Sequence, residues 1–457
     1  MSHADTALPV SLDRDAPTPL AVQLADALRQ AAASGHLRGG DRLPSTRALA
    51  ERLGVSRTVT SAAYEQLHAE GWIAGKHGSG TYVTTPPSHT VADRPSGAPV
   101  PAPEAESSSL LDLSPGTPWA DGLDRAAWRR AWRAAADPAP LIRAHRAGLP
   151  EYRTAVTEHL LRHRGLAAGA VLATGGTTAA VVELAVAVLK RGDLVAVEEP
   201  GYQRAVQAFR LAGLSVVGVP VDSEGLRPDA VPIGARAVFC SPAHQYPMGS
   251  RMSAARRVEL VERARAGGML VIEDDYDGEL RFDVAPLPLL AALAPDVVAH
   301  LGTTSKILTP TLGAGWMVAP AEVAEAVLDY RELTGTRPSP AGQRVVVELA
   351  RHGDLGRHLR KLRRELADRR SLLANALSSA DIPVQGDDAG AHLVVPFASA
   401  AEESSRLADA ERRGIRFDGL SRHFAGTPTA YGAAIGYAGC TREALITALP
   451  TLVSLLR

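Results

Sequence analysis

The sequence predicts an α/β fold with a mainly parallel sheet, preceded by a small, mostly helical N-terminal domain. From residue 170 onward, short apolar runs alternate with segments in which apolar residues recur about every 3.6 positions. Such alternation is typical of parallel strands whose connecting helices cover both faces of one sheet. The first 85 residues differ, because three amphipathic helical segments are followed there by two short strands. A proline-rich stretch separates the two regions.

Length and composition limit the class of protein. The chain has 457 residues, which is too long for one ordinary hydrophobic core. Hydrophobic residues make up 46% and charged residues 22%, as in folded globular proteins, and the formal net charge of -1 allows only local basic surfaces. Cys240 and Cys440 lack the spacing of a disulfide framework or a zinc site, and we expect no bound metal. The N-terminus has no apolar run of the signal-peptide type, and the longest apolar stretches are too short for a membrane span, so we expect a soluble cytoplasmic protein.

The proline-rich stretch occupies residues 86–109, where six of 24 residues are proline. Its composition predicts a semi-extended linker. At about 3.1 Å per residue it spans roughly 75 Å, enough for the small domain to reach another subunit. We therefore expect one domain at 1–85 and a second at 110–457.

Three helices are predicted in the N-terminal domain, at 19–37, 43–54 and 56–71. Apolar residues follow helical spacing in each, and Gly54 is suited to end the second helix. Helix, glycine-containing turn, helix is the helix-turn-helix layout, whose later helix enters the DNA major groove. Hydroxyl side chains suited to cap the second and third helices stand at Ser45, Thr46 and Ser56.

Two features beside these helices favour DNA binding. The stretch "WIAGKHGSGTYV" (72–83) predicts two strands joined by a lysine, a histidine and glycines, a β-wing that brings backbone and a cation close to phosphates. Between residues 38 and 57, five arginines stand against two acids, and phosphate neutralisation supplies much of the affinity of such domains. The alternative is that the hydroxyls only cap helices and the arginines form a solvated face.

The segments "GDRLPSTRALAERLGVSRTVTSAAYEQLHAEGWI" and "GSGTYV" closely resemble the GntR type of winged helix over residues 19–83. The resemblance implies DNA contacts from the starts of the second and third helices and from the wing. The implied contact residues are Arg42, Ser45, Thr46, Arg47, Ser56, Arg57, Thr58, Lys76, Gly78 and Gly80.

Five stretches of the large domain carry candidate chemistry, and three of them stand at or directly after the end of a predicted strand. Lys306, in "GTTSKILTPTLGAGW" (302–316), could form a Schiff base with an aldehyde. In "VIEDDYD" (271–277) a carboxylate could hold a pyridinium nitrogen protonated and a tyrosine could bond a phenolic oxygen. The alternatives for this second stretch are a magnesium site and a solvated run of acids.

The other three stretches could surround a phosphorylated ring. Tyr202, in "EEPGYQR" (198–204), offers an aromatic face for stacking. "SPAHQYPMG" (241–249) ends another predicted strand with polar side chains that could reach a ring substituent. "LATGGTTAA" (172–180) is a strand, a glycine turn and a helix start, which together suit a phosphate.

Residues from about 110 to 440 resemble fold-type-I aminotransferases, and the whole chain resembles the MocR family, in which a GntR winged helix is fused to an aminotransferase-like domain. The markers are "GLPEYRTAVTEHLLRHRG", "GDLVAVEEPGY", "SPAHQYPMG", "VIEDDYDGELRF" and "GTTSKILTP". The resemblance implies a pyridoxal 5'-phosphate cofactor on Lys306, with Asp274 at its pyridinium nitrogen and Tyr276 at its phenolic oxygen. It implies that Tyr202 stacks on the ring and that Arg204 meets an effector carboxylate. Further implied cofactor contacts are Gly175, Gly176, Thr177, His244, Gln245 and Ser305.

Three positions depart from the family pattern around the cofactor phosphate. Gly313 stands where the family has a phosphate-binding arginine, and Thr177 and Thr178 stand where it usually has glutamines. Arg143 replaces a tyrosine that reaches the phosphate from the partner subunit. Either Arg143 supplies the lost charge across a dimer, or the pocket binds the cofactor weakly or takes another ligand.

The resemblance implies a transcriptional regulator rather than an enzyme. It predicts a homodimer in which the N-terminal winged-helix domains, the heads, pack on the opposite subunit and bind a double-stranded operator. It also predicts that the dimer responds to pyridoxal phosphate, alone or with an amino compound as effector. Two alternatives stay open: an active aminotransferase with a fused DNA-binding domain, and a regulator whose pocket has lost the cofactor and binds another ligand.

Two further patterns are interpreted as surface features. His159 and His163 stand one helical turn apart, but no third metal ligand is evident. The basic segment 357–370 also carries acids and helical apolar spacing, so a solvated helix face is favoured over an accessory DNA contact. Neither Arg416 nor Arg422 aligns clearly with a carboxylate-binding arginine.

Overall fold

The computed structural model describes residues 10–76, 80–84, 110–143, 145–167, 169–282 and 287–457. The chain forms two compact units, Met1–Ser107 and Ser108–Arg457. The predicted linker and Gly78 lie outside the described residues. Within the described part, no helix has both the length and the apolar character needed to cross a membrane.

The described part of the N-terminal unit has three helices, α1 (Leu20–Ala33), α2 (Thr46–Leu53) and α3 (Arg57–Ala69), and three short strands, β1 (Arg42–Leu43), β2 (Ile73–Lys76) and β3 (Gly80–Val83). The strands pair antiparallel in the order β1-β3-β2. Both the helix-turn-helix and the pair of wing strands are therefore present as predicted.

Local side-chain bonds fix where α2 and α3 begin. The Ser45 hydroxyl accepts a hydrogen bond from the N–H of Ala48 (3.2 Å), and that of Ser56 accepts one from Val59 (3.4 Å). Gly54 ends α2 in the left-handed region, with φ 63°. These observations confirm Ser45 and Ser56 as caps and Gly54 as the stop, whereas Thr46 is the first residue of α2 and not its cap.

The core of this unit joins its three helices. Leu24, Leu49 and Leu67, one from each helix, are fully buried, and each contributes about 1.5–3 kcal/mol of hydrophobic stabilisation. The hydroxyl of Thr60 donates to the Thr46 carbonyl (2.8 Å), and that of Tyr64 donates to the Pro44 carbonyl (2.9 Å). These two bonds hold α3 against the start of α2, the relation that a helix-turn-helix requires.

The large unit is built on an eight-stranded sheet. Its strands are β5 (Val171–Thr174), β6 (Leu194–Glu199), β7 (Ser215–Asp222), β8 (Gly225–Leu226), β9 (Ala237–Cys240), β10 (Leu270–Asp275), β11 (Val298–Thr303) and β12 (Gly315–Val318). The described helices of the large unit are α4 (Arg125–Ala136), α5 (Pro150–Arg164), α6 (Thr177–Ala187), α7 (Gln203–Leu211), α8 (Ala254–Gly267), α9 (Leu290–Leu293), α10 (Ala321–Thr334), α11 (Pro340–Arg351), α12 (Asp354–Ser378), α13 (Ala400–Arg412) and α14 (Arg442–Leu456).

The sheet order is β5-β12-β11-β10-β9-β6-β7-β8. The five strands from β11 to β7 in this order run parallel, β12 is antiparallel to both of its neighbours, and β8 is antiparallel to β7. The prediction of a mainly parallel sheet is confirmed. Because parallel strands end at one edge, the residues that follow β6, β9, β10 and β11 lie at the same edge of the sheet.

A smaller sheet lies toward the C-terminus. It joins β13 (His392–Phe397), β16 (Tyr431–Gly436) and β15 (Asp418–Gly419), while β14 (Ile415–Arg416) pairs in parallel with β4 (Leu111–Asp112). The first strand after the linker region is therefore bonded to the C-terminal part of the chain.

Candidate functional site

Lys306 lies three residues beyond the end of β11 and is partly buried. Its Nζ donates a hydrogen bond to the carbonyl of Gly116 (2.6 Å). Burial lowers the pKa of this amine, while the carboxylates of Asp277 and Asp274 act in the opposite direction. A lowered pKa increases the fraction of neutral amine, the form that attacks a carbonyl carbon.

Asp274 is the next-to-last residue of β10 and is almost fully buried. Burial, together with the neighbouring Asp275 and Asp277, raises the pKa of this carboxyl to about 8, although the Thr177 hydroxyl acts in the opposite direction. The Oδ1 atom of Asp274 has no hydrogen-bond partner among the described residues. An unpartnered buried carboxylate oxygen is costly, and a protonated ring nitrogen would satisfy it.

His244, Asp277 and Tyr276 form a hydrogen-bonded cluster next to Asp274. The Nδ1 atom of His244 lies 2.8 Å from Oδ2 of Asp277 and 3.2 Å from the hydroxyl of Tyr276. Burial raises the pKa of Tyr276, so its hydroxyl stays protonated and is able to donate to a ring oxygen. Gly390 has to be glycine, because a Cβ there would lie 2.1 Å from Cε1 of His244.

Tyr202 stands directly before α7, at the end of the loop that follows β6. Its hydroxyl lies 2.9 Å from Oγ1 of Thr178, and burial raises its pKa. The ring meets Tyr246 edge to face, with 6.2 Å between centroids. Arg204 is exposed, and its positive charge contributes to the lowered pKa of Lys306. Arg204 is thus an exposed cation near the Lys306 amine.

The predicted phosphate-binding turn lies between β5 and α6. Gly175 and Gly176 form it, and Gly176 has φ 120°, a left-handed value that favours glycine. A Cβ on Gly176 would lie 3.4 Å from Oγ1 of Thr303 and 3.9 Å from Oγ of Ser305, so two hydroxyls adjoin the start of α6. The N-terminus of a helix attracts anions. No lysine or arginine side chain of the described residues bonds residues 174–178.

Gly313 follows a short 3-10 turn and has φ 55°. Nothing lies within 4 Å of the place where its Cβ would be. Gly315, two residues later, packs directly on the phosphate turn, since a Cβ there would lie 2.7 Å from Cα of Gly176. Arg143 is exposed and has no hydrogen bond or ion pair with the described residues. Within the described part of one chain, no arginine therefore reaches this turn.

Gln245 takes part in the structure of the loops around the pocket. Its Nε2 donates to the carbonyls of Pro200 and Tyr246 (both 2.7 Å), and its Oε1 accepts from the N–H of Met248 (3.0 Å). With its amide engaged in this way, Gln245 is tied to backbone, and its predicted cofactor contact stays a prediction.

Two acids of the site, Glu198 and Asp277, were not predicted to have roles of their own. Glu198, at the end of β6, is fully buried beside Asp274, and burial raises its pKa to about 8. Asp277 orients His244. The available signal for Glu198 was an acid that directly continues an apolar strand, in "LVAVEEP".

In the N-terminal unit, the predicted DNA contacts at the starts of α2 and α3 are mostly solvent-facing. Arg47, Arg57 and Thr58 are exposed, although Arg47 also bonds Glu51 through Nε (3.1 Å). Thr46 begins α2. In the β1–β3 sheet, the Arg42 side chain lies over Gly80, where a Cβ would come within 2.9 Å of its Nε, and Lys76 is the last residue of β2.

His159 is engaged in a hydrogen bond within the large unit. It bonds Oε1 of Glu279 (2.8 Å), and its ring lies 5.0 Å from that of His163. Among the described residues, no group of three or more histidine, cysteine or acidic side chains is arranged to hold a metal ion.

Comparison with known proteins agrees with both units. Residues 20–83 match the model of the bacterial regulatory proteins of the gntR family, and residues 110–415 match that of the class I and II aminotransferases. The kynurenine aminotransferase of Pyrococcus horikoshii superposes with a TM-score of 0.70, at 22% identity over 77% of this chain and 91% of that one. At that identity the likeness shows the fold.

Two regulators are similar along nearly their whole length. The pyridoxine biosynthesis transcriptional regulator PdxR of Corynebacterium glutamicum is 33% identical over 448 residues, 96% of each chain. The probable rhizopine catabolism regulatory protein MocR of Rhizobium meliloti is 33% identical over 453 residues, 94% of this chain and 92% of that one.

Fold and site thus define a DNA-binding transcriptional regulator that carries a domain of the aminotransferase type. More particularly, the chain belongs to the MocR-type regulators of the GntR family. The cofactor of the aminotransferase class is pyridoxal phosphate. The unpartnered Oδ1 of Asp274 and the amine of Lys306 fit that group.

Proposed function

We propose that this regulator senses pyridoxal phosphate through its large unit and changes its affinity for operator DNA in response. The observation that carries the proposal is that the buried Asp274 carboxyl, whose Oδ1 has no partner among the described residues, and the Lys306 amine lie at one sheet edge. When bound, the cofactor supplies an aldehyde for the amine and a basic ring nitrogen for the carboxylate. The relative PdxR is named as a regulator of pyridoxine biosynthesis, which supports this ligand.

Each pocket residue has a distinct part in this proposal. Asp274 holds the ring nitrogen in its protonated form, and the Tyr276 hydroxyl donates to the phenolic oxygen. His244 positions that hydroxyl and is itself held by Asp277. The glycine turn, with Thr177 and Ser305, receives the phosphate, and Tyr202 covers one face of the ring.

We propose that the protein is a homodimer and that Arg143 of one copy completes the phosphate site of the other. Ile142, beside it, is 99% exposed, and Leu141 is also exposed, so an apolar surface flanks the arginine. A second copy would cover that surface. The proposal accounts for a phosphate turn to which the described residues of its own chain bring no arginine.

A regulatory role is supported over sustained catalysis. The relatives PdxR and MocR are named as regulators. The two C-terminal arginines considered for carboxylate binding are engaged elsewhere, Arg416 with Glu411 (3.7 Å) and Arg422 with Asp418 (2.8 Å). Arg204 is a cation near Lys306 that is available for an effector carboxylate. Steady amino transfer between amino and keto acids would instead favour an active aminotransferase.

The proposal requires that the ligand bind one arrangement of the heads better than another, because only differential affinity shifts an equilibrium. As a regulator of transcription, the protein is expected to act in the cytoplasm, where its DNA is. Which genes it controls, and in which direction, depends on operator placement.

The test uses an operator fragment selected by the protein from random duplex DNA. Pyridoxal 5'-phosphate is expected to change operator affinity by roughly 5- to 150-fold, the usual range of coupling between sites. Pyridoxine 5'-phosphate, which has an alcohol in place of the aldehyde, serves as the matched control and is expected to have little effect. Equal responses to both compounds, or none to either, would contradict the proposal.

A further inference from the structure

The bond between Lys306 and Gly116 joins the pocket to a segment 190 residues earlier in the chain. Nζ of Lys306 lies 2.6 Å from the Gly116 carbonyl oxygen. Gly116 has φ 107°, and a Cβ there would lie 3.1 Å from Nζ. A glycine at this position therefore lets the amine approach the carbonyl oxygen without a clash.

The segment that contains Gly116 begins at the strand next to the linker. Leu111, in β4, donates its N–H to the Gly414 carbonyl (2.8 Å), and Leu113 donates to that of Arg416 (2.7 Å). The Leu113 carbonyl in turn accepts from the N–H of Gly436 (2.7 Å). These three bonds fix the point at which the chain passes from the linker into the large unit.

The other end of the segment is held at Trp119. Nζ of Lys361 lies 5.3 Å from the centroid of this ring, and the Arg369 guanidinium lies 5.2 Å from it. Between the two ends, the bond from Lys306 is the one hydrogen bond that residues 115–117 make with any described residue. Pro115 and Thr117 also pack against Gly436 and Gly439, so the bond from Lys306 is the hydrogen-bonded tether of the middle of the segment.

We infer that the Lys306–Gly116 bond is a latch that ligand capture releases, an inference that rests on the proposed function. When the neutral amine captures an aldehyde, a C=N bond forms between Nζ and the aldehyde carbon, and the carbonyl oxygen leaves as water with both amine protons. Nitrogen bonded in this way has at most one N–H, fixed in the plane of the new bond. It no longer donates a hydrogen bond to the Gly116 carbonyl, and residues 115–117 lose this bond to the pocket.

The latch predicts an unusual state for the ligand-free variant Lys306→Ala. If the lysine only captured ligand, this variant would stay in the ligand-free state. Alanine, however, also removes the donor to Gly116. The latch therefore predicts that the ligand-free variant resembles the ligand-bound wild type, both in the segment and in operator affinity.

Hydrogen exchange of the full-length protein without ligand tests the first part. The amides of Leu111, Leu113 and Gly436 are expected to exchange roughly 3- to 10-fold faster in Lys306→Ala than in the wild type, the effect of losing one net hydrogen bond. Lys190→Ala, which removes an exposed lysine, is the matched control and is expected to exchange like the wild type. Gly116→Ala, which crowds Nζ but keeps the amine, is expected to speed exchange in the same direction.

Operator binding tests the second part and separates the two proposals. Ligand-free Lys306→Ala is expected to bind the operator as the wild type does with saturating pyridoxal phosphate. Suppose that the wild type responds to pyridoxal phosphate, but that the ligand-free variant has the same hydrogen exchange and operator affinity as the ligand-free wild type. The latch is then wrong and the sensing proposal stands. If the wild type does not respond, the sensing proposal fails. Unchanged exchange in the variant would then reject the latch as well.

Discussion

Replacing Gly313 by arginine tests whether this position borders the cofactor phosphate. A charge-assisted hydrogen bond to the phosphate is worth about 1.5–3 kcal/mol. Gly313 has φ 55°, where a residue with a side chain costs about 1 kcal/mol, and there is open space for the Cβ. That strain is present with and without ligand, so it lowers folding stability and cancels in the affinity. The gain of about 1.5–3 kcal/mol therefore corresponds to about tenfold to over a hundredfold tighter binding of pyridoxal phosphate.

The assay is a titration of the purified protein with pyridoxal phosphate, followed by the absorption band that appears when the aldehyde is bound to lysine. Gly335→Arg is the matched control, because Gly335 also ends its helix in the left-handed region, with φ 71°, and also has open space around it. It lies outside the described pocket contacts, so its arginine is expected to leave the affinity unchanged.

The background Arg143→Ala sharpens this experiment. If Arg143 and an arginine at 313 serve the same phosphate, Gly313→Arg is expected to recover much of the affinity that Arg143→Ala loses. The reasoning is refuted if Gly313→Arg binds pyridoxal phosphate no better than Gly335→Arg in both backgrounds, since the position would then not face the phosphate.

Three other predictions concern single side chains. Arg143→Ala is expected to weaken pyridoxal phosphate binding by about tenfold to over a hundredfold, and unchanged affinity in the same titration would end its assignment to the phosphate. Arg57→Ala is expected to weaken operator binding and to lower the slope of log affinity against log salt by about 0.9 if Arg57 neutralises one phosphate; an unchanged slope would remove it from the backbone contacts. Because burial raises the pKa of Asp274 to about 8, its contribution to the stability of the ligand-free protein is full below its ordinary pKa and is lost as the pH rises through 8. Asp274→Asn is expected to flatten this dependence, so a melting temperature that falls equally between pH 6 and 9 in both proteins would contradict the assignment.

The sequence was informative where structure follows from local pattern. Ser45 and Ser56 cap their helices as predicted, because a hydroxyl next to a helical apolar pattern has a local partner to bond. Asp274 and Lys306 lie at one sheet edge as predicted, because parallel strands place their ends together. Strand β12 was not predicted, since its glycine-rich start obscures a strand that the sheet completes by pairing on both sides.

Contacts between distant residues could not be predicted in the same way. The pairing of His244 with Asp277 depends on the close approach of Gly390, which comes from the C-terminal part of the chain. The bond from Lys306 to Gly116 joins segments 190 residues apart. Patterns of apolar residues specify which faces are buried, but they do not specify which polar atoms meet when those faces pack.

The most direct test of the account is a comparison of two titrations with pyridoxal phosphate in the same solution. One follows the absorption band of the aldehyde bound to Lys306, and the other follows the affinity for the selected operator. The account predicts that both change with the same midpoint concentration. An operator affinity that stays constant while the absorption band saturates would show that the DNA-binding heads do not sense the pocket.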